Sequence, residues 1–87
     1  MSQESLSNQI VETFAGMSPQ LQTAARYVLD RPRDVALLSM REQAREAGVQ
    51  PATMTRFAQR LGLEGYEAIG LIRAEEETDD HESNGGR

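Results

Sequence analysis

Cysteine is absent from the 87 residues, which excludes a disulfide framework, a thiolate zinc site and a cysteine nucleophile together. A fold this small then stands on apolar packing alone. No run approaches the roughly 20 apolar residues of a membrane span, and the first residues, Met1 to Ser5, lack a charged-then-apolar leader pattern. The expectation is a cytoplasmic protein with no membrane partner. No stretch of four or more residues alternates apolar and polar side chains with β-branched enrichment, so no sheet is expected either. Lysine is missing too, all nine basic residues being arginine. Arginine suits bidentate contacts to phosphate and guanine, although codon bias accounts better for such usage across a whole chain. The length leaves room for one domain and excludes a barrel, a two-lobed enzyme or a dinucleotide-binding unit with a second domain.

The net charge of −5 is the sum of unequal parts. Residues 1–25 carry −2, residues 26–60 carry +3 from seven arginines and four acids, and residues 61–87 carry −6. Fields are screened within about 10 Å at physiological salt, so the basic middle says more about a polyanionic partner than the total does.

Apolar spacing reads as helix almost throughout. Leu6, Ile10, Phe14 and Met17 recur every three or four residues, and Leu21, Ala24, Ala25, Val28 and Leu29 follow the stripe of an amphipathic helix. Ser18 before Pro19 is an N-cap followed by proline at the first helical position, and the helix it opens ends near Asp30, before Pro32. Residues 34–38 then allow a short helical turn at most. Ser39 and Glu42 fit a capping box. The helix they open places Met40, Ala44 and Ala47 on one face and stops at Gly48. Pro51 starts the next, with Gln50 in the cap position, a buried stripe of Met54, Phe57, Ala58 and Leu61, and a stop at Gly62. A last helix over about 66–76 buries Tyr66, Ile69 and Ile72. The expected organisation is a domain over 1–77 and, with no apolar residue beyond Thr78, a disordered acidic tail or linker over 78–87.

The informative segment is 39–62. Two short helices joined by Gly48, Val49 and Gln50 make a helix-turn-helix. Ala44 lets the helices cross closely, and Val49, Met54 and Phe57 fill the angle between them. The plain alternative is an αα-hairpin of a helical bundle that binds nothing. In a DNA-binding unit the second helix lies in the major groove and its outward face reads bases. Here that face is Pro51, Ala52, Thr55, Arg56, Gln59 and Arg60. Thr55 and Gln59 stand one turn apart, as do Arg56 and Arg60. Arg41 and Arg45 on the preceding helix neighbour Glu42 and Glu46, so part of their charge goes to pairing within the helix. With Ser39, Arg41 and Gln50 added, these residues form the candidate DNA-contacting set.

Residues 17–29 (MSPQLQTAARYVL), 35–44 (VALLSMREQA) and 47–66 (AGVQPATMTRFAQRLGLEGY) resemble the amino-terminal domain of RpiR-type bacterial transcriptional regulators. The resemblance covers about residues 6–76, and its landmarks are Ala52 with Thr53, Arg56 with Phe57, and Leu61 with Gly62. It implies a winged-helix-like all-α regulator head, usually followed by a sugar-isomerase domain that senses phosphosugars. By position it gives Thr53 a phosphate contact at the helix start and Arg56 a backbone or structural contact. The chain departs from the pattern where Gln50 replaces the usual serine cap and Gln59 a basic residue. Gly70 also falls inside the last helix, at about 1 kcal/mol against alanine.

Catalysis finds little support. His81 with Asp79, Asp80 and Glu82 could hold a divalent cation weakly, but a solvated acidic tail accounts for them far better, so neither a metal nor a cofactor is expected. The expectation is an all-α, homeodomain-like bundle of five to six helices that binds double-stranded DNA as a homodimer and regulates transcription. A phosphosugar effector enters only through a following sugar-isomerase domain. The rival is a helical adaptor whose acidic end, 75–82, meets a basic partner.

Overall fold

The computed structural model describes residues 5–85, and side chains over 5–75. Among the described residues six helices follow in order, α1 (Leu6–Phe14), α2 (Pro19–Asp30), α3 (Pro32–Leu37), α4 (Met40–Ala47), α5 (Pro51–Arg60) and α6 (Tyr66–Gly85). The fold is all-α. There is no strand among the described residues, hence no wing.

Local chemistry sets most of the boundaries. The hydroxyls of Ser5, Ser18 and Ser39 accept from the backbone N–H three residues on, and Glu42 completes the capping box by accepting from the Ser39 N–H at 3.1 Å. Gly48 and Gly62 have φ of +80° and +86°. Each lets its helix end in a Schellman pair: Val49 and Leu63 donate back to the Ala44 and Ala58 carbonyls at 3.0 Å, and the glycine N–H groups to Arg45 and Gln59.

Two helices depart from the bounds expected of them. Residues 32–37 form a helix rather than a turn, because Pro32 at its first position presets φ and Asp34 stands in the first turn, 3.3 Å from Arg31. α6, expected over about 66–76, runs on to Gly85. Propagating a helix already nucleated by packing is cheap. The grouping of His81 with its acidic neighbours lies outside the described side chains.

The core runs through all six helices. Ile10, Val28, Val35, Met54, Phe57 and Ile69 are at most 1 % exposed, and alanines 24, 25, 44 and 58 keep α2, α4 and α5 close. Leu61, Phe14, Leu21, Leu29 and Ile72 pack on its edge, half-buried. α6 lies along α3, and Gly70 explains itself there: a Cβ would come within 3.4 Å of the Val35 carbonyl.

Three polar links tie helices distant in sequence. Gln43, 2 % exposed, donates through Nε2 to the Val35 and Leu38 carbonyls and accepts from the Tyr66 hydroxyl at 2.6 Å. Tyr27 donates to Glu46 Oε1 at 2.8 Å, joining α2 to α4. Arg73, 5 % exposed, donates through Nη2 to Ser7 Oγ and the Val28 carbonyl, joining α6 to α1 and α2. Burial raises both tyrosine pKa values well above their usual range. The Glu46 carboxylate adds to the shift at Tyr27, while the Arg73 charge opposes it at Tyr66.

Candidate nucleic-acid interface

The helix-turn-helix over 39–62 is built as its spacing requires. The Schellman turn at Gly48 reverses the chain tightly, and Val49 packs half-buried behind it. Ala44 (1 % exposed) and Phe57 (0 %) then fill the crossing of α4 and α5. Burying Met54, Phe57 and Ala58 on one side of α5 forces Pro51, Ala52, Arg56, Gln59 and Arg60 onto the other, where all five are exposed.

Two candidates sit elsewhere than expected. Thr55 is half-buried, its hydroxyl 3.8 Å from Met40 Sδ, so it stands at the rim of the exposed face. Thr53 is 4 % exposed, and its N–H donates to the Gln50 carbonyl at 2.9 Å. That places it on the packed side of α5. Ser39 is exposed, but its hydroxyl accepts the Glu42 N–H at 3.2 Å. Gln50 is exposed at the N-cap with no side-chain capping bond, so its amide stays available.

The expected pairing of Arg41 and Arg45 with neighbouring glutamates is not found. Glu42 is turned back to cap its own helix, and Glu46 accepts from Tyr27. Arg31 pairs instead with Asp34, away from the motif. Arg41, Arg45, Arg56 and Arg60 therefore stand exposed and unneutralised around the motif.

No sequence signal marks the flank supplied by α1 and α2. A Cβ at Gly16 would come within 3.1 Å of Arg60 Nη2, so the bare glycine makes room for that guanidinium against the α1–α2 corner. At the same corner the Arg26 guanidinium lies 5.5 Å from the centre of the Phe14 ring. Gln20 lines a polar concavity of about 260 Å³ with Gly48, Val49 and Gln50. Nothing in the local pattern of 14–26 shows which of these residues face α5, since that depends on how α2 crosses it.

Among the described residues no group of three or more His, Cys, Asp or Glu side chains could hold a metal ion, and no helix is long and apolar enough to cross a membrane. Residues 4–77 match the family model described as helix-turn-helix domain, rpiR family. The chain is 33 % identical over 66 residues, 76 % of its length, to the uncharacterized HTH-type transcriptional regulator YfhH of Escherichia coli (strain K12). It spans 23 % of that relative.

Proposed function

We propose, from the premise that this chain belongs to the rpiR family of helix-turn-helix domains, that it docks on duplex DNA with α5 in the major groove. A DNA-binding regulatory domain is what the family and the relative support. The finer assignment of residues rests on one observation: packing drives Arg56, Gln59 and Arg60 onto a single exposed face of α5, while the acids nearest the motif are engaged elsewhere. Gln59 is the base reader, since a glutamine amide pairs with N6 and N7 of adenine. Arg60, drawn back against Gly16, is a backbone contact, and Arg56, Arg41, Gln50 and Gln20 extend the phosphate-binding rim.

The chain then acts as the cytoplasmic, non-enzymatic DNA-binding head of a bacterial transcriptional regulator that works as a homodimer. Control of sugar or phosphosugar genes, with an effector bound by a following sugar-isomerase domain, completes the reading. The test starts from a preferred site selected from a random DNA library. On it Gln59→Ala is expected to cost about 1 to 3 kcal/mol and relax one base pair. Arg60→Ala should weaken all sequences alike and lower the salt slope by about one per monomer. Unchanged affinity in both variants overturns the placement of α5.

A further inference from the structure

Besides Val11 on α1, 62 % exposed, two leucines break the rule that the large apolar side chains of this domain are covered. Leu37 on α3 is 75 % exposed and Leu71 on α6 is 69 % exposed. They stand on the two helices that lie along each other. Leu71 also lines an apolar groove of about 510 Å³ whose walls include Val35, Ala36, Leu38 and Met40. An uncovered leucine pair beside an apolar groove is the signature of an interaction surface rather than of an isolated surface residue.

The charges around the leucines say what covers them. One turn before Leu37, α3 exposes Arg33; one turn to either side of Leu71, α6 exposes Glu67 and Glu75. None of the three is in an ion pair among the described residues. The spacing is four residues in every case, about 6 Å along a helix. We propose that this face is the interface between two copies of the chain, with α6 of each copy laid on α3 of the other about a two-fold axis. Leu71 then meets the second copy's Leu37, and one turn away an acid of α6 meets the second copy's Arg33. Because an acid stands on both sides of Leu71, the match holds whether the two helices run parallel or antiparallel. The two-fold operation repeats it, as an isologous contact requires. A different protein would need only one complementary strip, whereas this chain carries both halves. The inference rests on the homodimer reading above and names its surface.

Sedimentation equilibrium of the full chain tests it, with circular dichroism to confirm that each variant remains helical. The parent should be dimeric at micromolar to tens of micromolar concentration. Arg33→Glu alone, and Glu67→Arg with Glu75→Arg, should each raise the dimer dissociation constant at least tenfold by setting like charges together. Combining all three substitutions should restore it, and Leu71→Asp should leave monomer. A parent that stays monomeric at several hundred micromolar overturns the inference. So does a dimer indifferent to these substitutions, or a triple variant that is not restored. Affinity for a duplex carrying a single half-site, measured on the same samples, separates the two readings. A monomer that still binds it leaves the DNA-binding assignment standing, and a dimer that binds no DNA removes that assignment alone.

Discussion

Phe57 has no exposed surface and sits where α4, α5 and the rest of the core converge. Phe57→Ala should cost about 3 to 5 kcal/mol, a large share of the about 5 to 15 kcal/mol that holds a domain together. A urea melt within a few tenths of a kcal/mol of the parent would show that the facing of α5 is wrong. Phe57, Met54 and Ala58 were legible because apolar side chains at three and four residue spacing have one place to go. Gln43 and Arg73 were not. Both are polar, and each has a partner on a helix remote in sequence, Tyr66 for Gln43 and Val28 for Arg73, which no local pattern shows. The same links carry a pH signature. The chain has neither cysteine nor lysine, so Tyr27 and Tyr66 are the side chains whose titration in the unfolded chain, near pH 10, sets the alkaline limit of stability. Both have folded pKa values raised above the unfolded value near 10, by burial first and at Tyr27 also by Glu46. A raised pKa means the stabilisation is complete below about pH 10 and is lost as the pH climbs toward the folded values. Melts between pH 8 and 11.5 should show that fall, and Tyr27→Phe with Tyr66→Phe should flatten it. An equally steep fall in the double variant would contradict the assignment.

Helix ends in this chain are decided by short-range chemistry, which is why α2, α4 and α5 could be bounded from residues such as Ser18, Pro19, Ser39, Glu42, Gly48 and Gly62. α3 escaped that reading because six residues between Pro32 and Leu37 are too few to show a period, and its helix is completed by packing Val35 (1 % exposed) into the core. The extended α6 escaped it because composition argues about burial, whereas a helix already started needs no further core to gain another residue. The turn of the motif is the element most open to test. Nothing lies within 4 Å of a Cβ built on Gly48, so a substitution there is strained by its φ of +80° alone. Gly48→Ala should therefore cost about 1 to 2 kcal/mol, and Gly48→Asn less, since asparagine tolerates the left-handed region better. Equal melting of all three proteins would mean that the turn has another conformation in solution.

At the scale of the whole molecule, charge is sorted along the chain and the fold keeps it sorted. The arginines of α4 and α5 surround the exposed face of the motif, with Arg26 and Arg60 drawn to the α1–α2 corner, while Glu64, Glu67 and Glu75 follow on or before α6. This explains how a chain of net −5 can approach a polyanion: the potential at the contact depends on the charges within a Debye length, not on the total. The sequence showed the basic middle, but not that Glu42 and Glu46 would be turned to capping and to Tyr27, which leaves the arginines unneutralised. The central claim, that α5 presents its outward face to DNA, is tested most directly by following backbone amide chemical shifts as a duplex of about 20 base pairs is titrated into the chain at low salt. The account predicts the largest shifts over 50–60, with smaller ones at 14–20 and at Arg41, all fading as salt is raised. Shifts concentrated on 66–75, or none at any residue, would contradict it.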